Sequence, residues 1–142
     1  MQTINQVLSA KGPGIYSVGP DETVLQAIRV MAEKHVGALL VMRGRELVGI
    51  ISERDYTRKV VLLGRSSADT PVSQIMSAPV LSVSPDATIN QCLAIMTEKH
   101  IRHLPVVERD VVHGMLSIGD CVKAVIDAQK HHIEDLERFI RS

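Results

Sequence analysis

Gly49-Ile50-Ile51-Ser52-Glu53-Arg54-Asp55 recurs as Gly114-Met115-Leu116-Ser117-Ile118-Gly119-Asp120, 65 positions along, with Gly, two apolar residues, Ser and Asp in the same places. The same shift aligns what precedes each copy: Ser84-Pro85-Asp86-Ala87-Thr88 matches Gly19-Pro20-Asp21-Glu22-Thr23, and Glu98-Lys99-His100 matches Glu33-Lys34-His35. A unit this long that occurs twice is no solenoid repeat; it predicts two like units that bury their sheets as a pseudo-twofold pair. Each heptapeptide reads as a strand running into the first turn of a helix. Ser is a good N-cap there, and an acid in the first turn suits the positive helix end. A hydroxyl, a carboxylate and backbone N–H groups then share one corner. Such a corner suits a ribose diol on the carboxylate and a phosphate at the helix end. For a single copy, capping alone accounts for Ser and Asp equally well. Two copies in register favour a paired site.

The spacing predicts a unit of lead-in strand, helix, strand, strand, helix. In the first copy these are Ile15–Val18, a helix capped by Asp21 or Thr23, Gly37–Met42, Leu47–Ser52 and Glu53–Leu62. Val24, Ala27, Ile28, Met31 and Ala32 give the first helix an apolar face. Val80–Val83, the helix bearing Ile89, Cys92, Leu93 and Met96, Leu104–Val107 and Val111–Ser117 repeat the pattern. A short helix over Thr3–Lys11 precedes the first unit, ended by Gly12-Pro13-Gly14, and Val72–Met76 echoes Ile4–Leu8 before the second. The expected divisions are 1–63 for the N-terminal helix and first unit, 64–71 for a polar connector, 72–128 for the second unit and 129–142 for a helical extension. The class is mixed α/β (α+β).

Bulk properties narrow the function. Sixteen basic and sixteen acidic residues cancel, so no global field draws the chain to nucleic acid or a membrane surface. Tyr16, Tyr56 and Phe139 are the aromatics, too few for a base-stacking platform. The apolar runs are short and broken by charge, which argues against a membrane span. Met1-Gln2-Thr3-Ile4 lacks the regions of a signal peptide. Cys92 and Cys121 do not correspond under the shift and form no CxxC, which suggests a reducing compartment, the cytoplasm or an organelle matrix. Neither Ser52 nor Ser117 has a base placed by sequence, and no phosphate-binding lysine loop or dinucleotide fingerprint occurs. His113, His131 and His132 lack metal-ligand spacing. A non-enzymatic chain without a catalytic metal is expected; the alternatives are an interaction or assembly protein with structurally filled clefts and an active final helix and, behind it, a nucleotide-hydrolysing enzyme.

The duplicated unit and its closing Gly-h-h-Ser-x-x-Asp resemble a tandem pair of cystathionine-β-synthase (CBS) domains, a Bateman module. Ser52–Lys59, Gly64-Arg65-Ser66-Ser67, Ile101-Arg102-His103-Leu104-Pro105-Val106 and Ser117–Asp120 look like the stand-alone bacterial and plant-organelle members. The resemblance implies an adenosyl ligand (AMP, ADP, ATP, NAD or S-adenosylmethionine) in a cleft between the domains, at crossed sites. Carried over, one site joins Ser117, Gly119 and Asp120 to Tyr16, Ser17, Val36, Gly37 and Ala38. The other joins Ser52, Arg54, Asp55 and Arg58 to Leu81, Ser82, Ile101, Arg102 and His103. It further implies a homodimer and output through a separate protein, with thioredoxin-system proteins as a partner class by analogy with plant members. The arginines make the second of these sites the better fit for a di- or triphosphate, unless Arg54 and Arg58 only pair with neighbouring acids. Gly119, in Arg54's place, suits the first to a monophosphate or to no ligand. Ile133, Leu136 and Ile140 form an apolar stripe beyond the domain, to be covered either by its own subunit or by a partner helix.

Overall fold

The computed structural model describes residues 3–12 and 14–141. They form two compact units. One runs Gly14–Leu81 and takes in Asp110–Val112; the other holds α1 (Ile4–Lys11) and the rest of the chain from Ser82.

In the first unit β1 (Ser17–Val18), α2 (Val24–Lys34), β2 (Ala38–Arg43), β3 (Glu46–Ser52) and α3 (Glu53–Tyr56) follow in order, and α3 runs on through a π-helical turn at Thr57–Val61. β1 lies parallel to β2, and β2 antiparallel to β3, with Ala38 opposite Ser52 and Arg43 opposite Glu46. Thr23 is the cap of α2, its hydroxyl accepting from Gln26 N at 3.1 Å. Val24, Ala27 and Met31 are buried against Leu39, Val41 and Ile51, as the helical spacing requires; Ile28 packs at the margin and Ala32 is exposed. The expected connector is part of this unit: Thr70 is buried, and its carbonyl accepts from Val24 N at 2.8 Å.

The second unit repeats the plan with α4 (Ile89–Lys99), β4 (His103–Glu108), β5 (Val111–Ser117) and α5 (Ile118–Arg141). Its lead-in forms no strand, only a parallel bridge from Val83 to Val106. The cause lies in the sequence. In the first unit Leu40 N donates to Tyr16 O at 3.2 Å, but Pro105 stands at the place equivalent to Leu40 and has no N–H to give Leu81. The lead-in keeps the bonds from Val83 N to Pro105 O and from Val107 N to Val83 O.

The segments preceding each repeat are exchanged. The sequence grouped α1 with the first repeat, yet Ile4 and Val7 are buried in the second core with Met96, Leu104 and Leu116, and Ile4 N donates to Ala87 O. Val72 and Ile75, which precede the second repeat, are buried in the first core, and Val72 N donates to Glu22 O at 2.8 Å. This packing explains the repeated glycines. A Cβ on Gly49 would stand 2.5 Å from Met76 Sδ, and one on Gly114 would stand 3.2 Å from Leu8 Cδ2. Among the described residues no helix is long and apolar enough to cross a membrane.

Candidate functional site

Both Ser–Asp corners are capping boxes. In the first, Asp55 N donates to Ser52 Oγ at 3.2 Å while Ser52 N and Oγ donate to Asp55 Oδ2 at 2.9 and 3.1 Å. The other carboxylate oxygen is taken as well: Lys59 Nζ lies 3.2 Å from Asp55 Oδ1, and the Ser77 hydroxyl reaches it at 3.4 Å. Lys59 also donates to Ile75 O at 2.9 Å, which fixes it in place. The Asp55 side chain is 11% exposed. Glu53 N donates to Gly37 O at 3.0 Å, so the start of the hairpin closes on the helix end of its own repeat.

The second corner has the same backbone and a more open carboxylate. Asp120 N donates to Ser117 Oγ at 3.1 Å, and Ser117 N to Asp120 Oδ2 at 2.9 Å. Lys11, the last residue of α1, donates to that same oxygen at 2.9 Å and to Met115 O at 3.0 Å. Oδ1 has no partner among the described residues, and the side chain is 23% exposed. Ile118 N donates to Arg102 O at 2.8 Å, the counterpart of the Gly37 contact. Burial would raise the Asp120 carboxyl, but hydrogen bonds from Ser117 and Lys11, with the lysine's charge, hold it below its ordinary value. His103 is pushed down, first by burial and then by Lys11 and Arg102, against an opposing pull from Asp120.

Lys11, Arg102, His103, Ser117 and Asp120 therefore gather at one corner, and Gly37, Ala38, Ser52, Asp55 and Lys59 at the other. In each unit the hairpin start adjoins the Ser–Asp pair of its own repeat. Of the other expected residues, Tyr16 is exposed with Lys34 Nζ 5.6 Å from its ring centre, and Ser17 begins β1. Val36 and Ile101 follow the ends of α2 and α4, donating to Met31 O and Met96 O. Leu81, Ser82, Arg54 and Arg58 are exposed. Sequence reasoning missed three residues. Lys59, four places after Asp55, was available from helical spacing. Lys11 and Ser77 reach their carboxylates through the exchange of preceding segments, which no local pattern announces.

Each corner brings a serine, a carboxylate and a lysine together. Among the described residues no cluster of three or more His, Cys, Asp or Glu is placed to hold a metal ion. Cys92 and Cys121 are buried and unbonded, and burial, with Cys92 and Asp120 near, pushes the Cys121 thiol up to about 11.

Comparison with known proteins agrees with this architecture. The sequence profile of the CBS domain matches residues 12–62 and again 72–127. A mitochondrial CBS domain-containing protein of Arabidopsis thaliana, CBSX3, is 36% identical over 148 residues, covering 98% of this chain and 72% of that one. YhcV of Bacillus subtilis is 30% identical over 106 residues, 75% of either chain. A solved protein with CBS domains from Burkholderia ambifaria superposes with a TM-score of 0.87 at 48% identity, over 90% of this chain and 96% of that one. With the profile matched in both repeats, the chain belongs to the CBS-domain family and carries two CBS domains in tandem.

Proposed function

We propose that this chain is a non-enzymatic regulatory module that binds an adenine nucleotide (AMP, ADP, ATP or NAD) in the cleft between its two CBS domains. Ligand binding changes domain or dimer packing and so signals to a separate protein, in the cytoplasm or an organelle matrix. The observation that carries this reading is the Asp120 corner. A carboxylate held by its capping box keeps one oxygen without a partner among the described residues, part exposed, with the Lys11 ammonium 2.9 Å from the other oxygen. A ribose diol donates to such an oxygen, and neighbouring cations meet the phosphate. The first site is Ser117, Gly119 and Asp120 with Tyr16, Ser17 and Val36–Ala38. The second is Ser52, Arg54, Asp55 and Arg58 with Leu81, Ser82 and Ile101–His103.

Lys59 and Ser77 on Asp55 favour a second reading for that corner alone, as a structurally filled joint. On this reading the two sites bind unequally, with Asp120 the tighter. Isothermal titration of the purified chain with AMP, ADP, ATP, NAD and S-adenosylmethionine tests it, with GTP and triphosphate as controls. An adenosyl ligand binding with a stoichiometry near one, and GTP more weakly, is expected. Equal heats from ATP, GTP and triphosphate would reduce the site to a phosphate patch.

A further inference from the structure

α5 carries a second apolar stripe besides the one that seals its unit. Cys121 and Ala124 face the core, whereas Val122, Ile126, Ile133, Leu136 and Ile140 are 45–79% exposed. With Gln129 they step along the helix by 4, 3, 4, 3 and 4 residues, which is the seam of a heptad repeat. Beside the seam lies a groove of about 560 Å³, lined by Ile89 and Asn90 of α4 and by Val125, Ala128 and His132 of α5. Phe139, near the helix end, is 79% exposed. On another face of the tail Asp135 pairs with Arg138 at 2.7 Å and with His131 at 3.7 Å. Lys123 and Glu137, which flank the seam on one side, make no ion pair among the described residues.

We propose that a second copy of this chain occupies the seam, the two α5 helices pairing antiparallel over Val122–Ile140 about a twofold axis near residue 131. In this register Val122 meets the partner's Ile140, Ile126 the partner's Leu136, and Gln129 the partner's Ile133. Lys123 then faces the partner's Glu137. Val125 faces the partner's Phe139, which brings the ring to the groove. Each pairing occurs twice, and a twofold closes at the dimer. Self-complementarity of the charge pattern and of the seam spacing is what selects a second copy over an unrelated helix. Sliding by one heptad, so that Lys130 faces the partner's Glu137, leaves Val122 and Ile126 uncovered. Parallel pairing sets Glu137 against His132 and takes Phe139 away from the groove.

Sedimentation equilibrium of the full chain at low salt tests the register. Lys123→Glu and Glu137→Lys each turn two attractive pairs repulsive and are expected to weaken the dimer about tenfold. The double variant K123E/E137K restores it. Lys130→Ala removes a like-charged pair about the axis and tightens the dimer; in the slid register it loosens it instead. All four variants are at exposed positions, and circular dichroism verifies their fold. A chain that stays monomeric overturns the proposal together with the homodimer. A dimer that the double variant fails to rescue, or that Lys130→Ala weakens, overturns the α5 pairing while leaving a dimer through another face. Nucleotide titration of the same variants is a separate readout, so neither failure bears on ligand binding.

Discussion

Asp55 and Asp120 occupy equivalent positions and differ in what it costs to give them to a ligand. Asp55 has both oxygens bonded, to Ser52, Lys59 and Ser77, whereas Asp120 Oδ1 has no partner among the described residues. Asp55→Ala therefore strands a half-buried ammonium and a hydroxyl and is expected to cost about 1–3 kcal/mol of stability, more than Asp120→Ala. Asp120→Ala in turn should weaken every adenosyl ligand at its site by about 1.5–3 kcal/mol. Thermal melts and titrations of the two variants check the contrast, and equal melting losses would refute the assigned difference. The pH dependence follows from the same corner. The folded Asp120 carboxyl lies low, so its contribution is fully present above the unfolded carboxylate value and is lost as pH falls through the folded one. The folded His103 imidazole also lies low, so the unfolded chain takes up a proton first, and stability falls as pH drops below about 6.5. His103→Gln should remove that upper part of the acid slope while leaving the carboxylate part, as read from melting temperatures between pH 7 and 5.

At the scale of elements, the glycines and helix ends show how far local pattern reaches. Gly49→Ala would drive its Cβ against Met76 and within 3.2 Å of the Ser77 carbonyl, a backbone atom that cannot swing aside. It should cost about 1–3 kcal/mol, and Gly114→Ala less, since the nearest neighbour there is the flexible end of Leu8. Met76→Ala combined with Gly49→Ala should recover part of the loss; a purely additive pair in denaturant melts would rule out the contact as its cause. The helices, the hairpins and both Ser–Asp corners were legible because each is written locally: Thr23 before an apolar stripe of helical period, Gly44 between two apolar runs, Ser three places before Asp. The missing lead-in strand was legible in principle from Pro105. The exchange was not. The likeness of Val72–Met76 to Ile4–Leu8 shows that the two segments do the same job, but not for which core. Lys11, 109 residues from Asp120, enters the site by that route, so the sequence reading left the second corner with too little charge.

For the whole molecule, the exchange means that the units of folding are not the units of repetition. A cut after residue 63, where the sequence divides the repeats, leaves the first core without Val72 and Ile75, which are 0% and 1% exposed. Burying two such side chains contributes about 3–6 kcal/mol, a large part of the 5–15 kcal/mol that typically holds a whole domain together. The cut also removes Thr70, whose carbonyl accepts from Val24 N, and Pro71, which bridges Thr23. Val24 N and Leu25 N at the start of α2 thereby lose Thr70 O and Ser67 O, and Glu22 O and Pro20 O just before it lose Val72 N and Ser73 N. A fragment of residues 14–81 keeps all of these, because that stretch forms the first unit except for Asp110–Val112. The fragment 14–81 is thus expected to melt cooperatively by circular dichroism. The fragment 14–63, which contains every element of the first repeat, is expected to show no folded baseline. Adding a synthetic peptide of residues 68–78 should restore a transition to the shorter fragment, with its midpoint rising with peptide concentration as for any ligand of the folded state. A fragment 14–63 as stable as 14–81, or one indifferent to the peptide, would show that the first repeat closes its core without the exchanged segment.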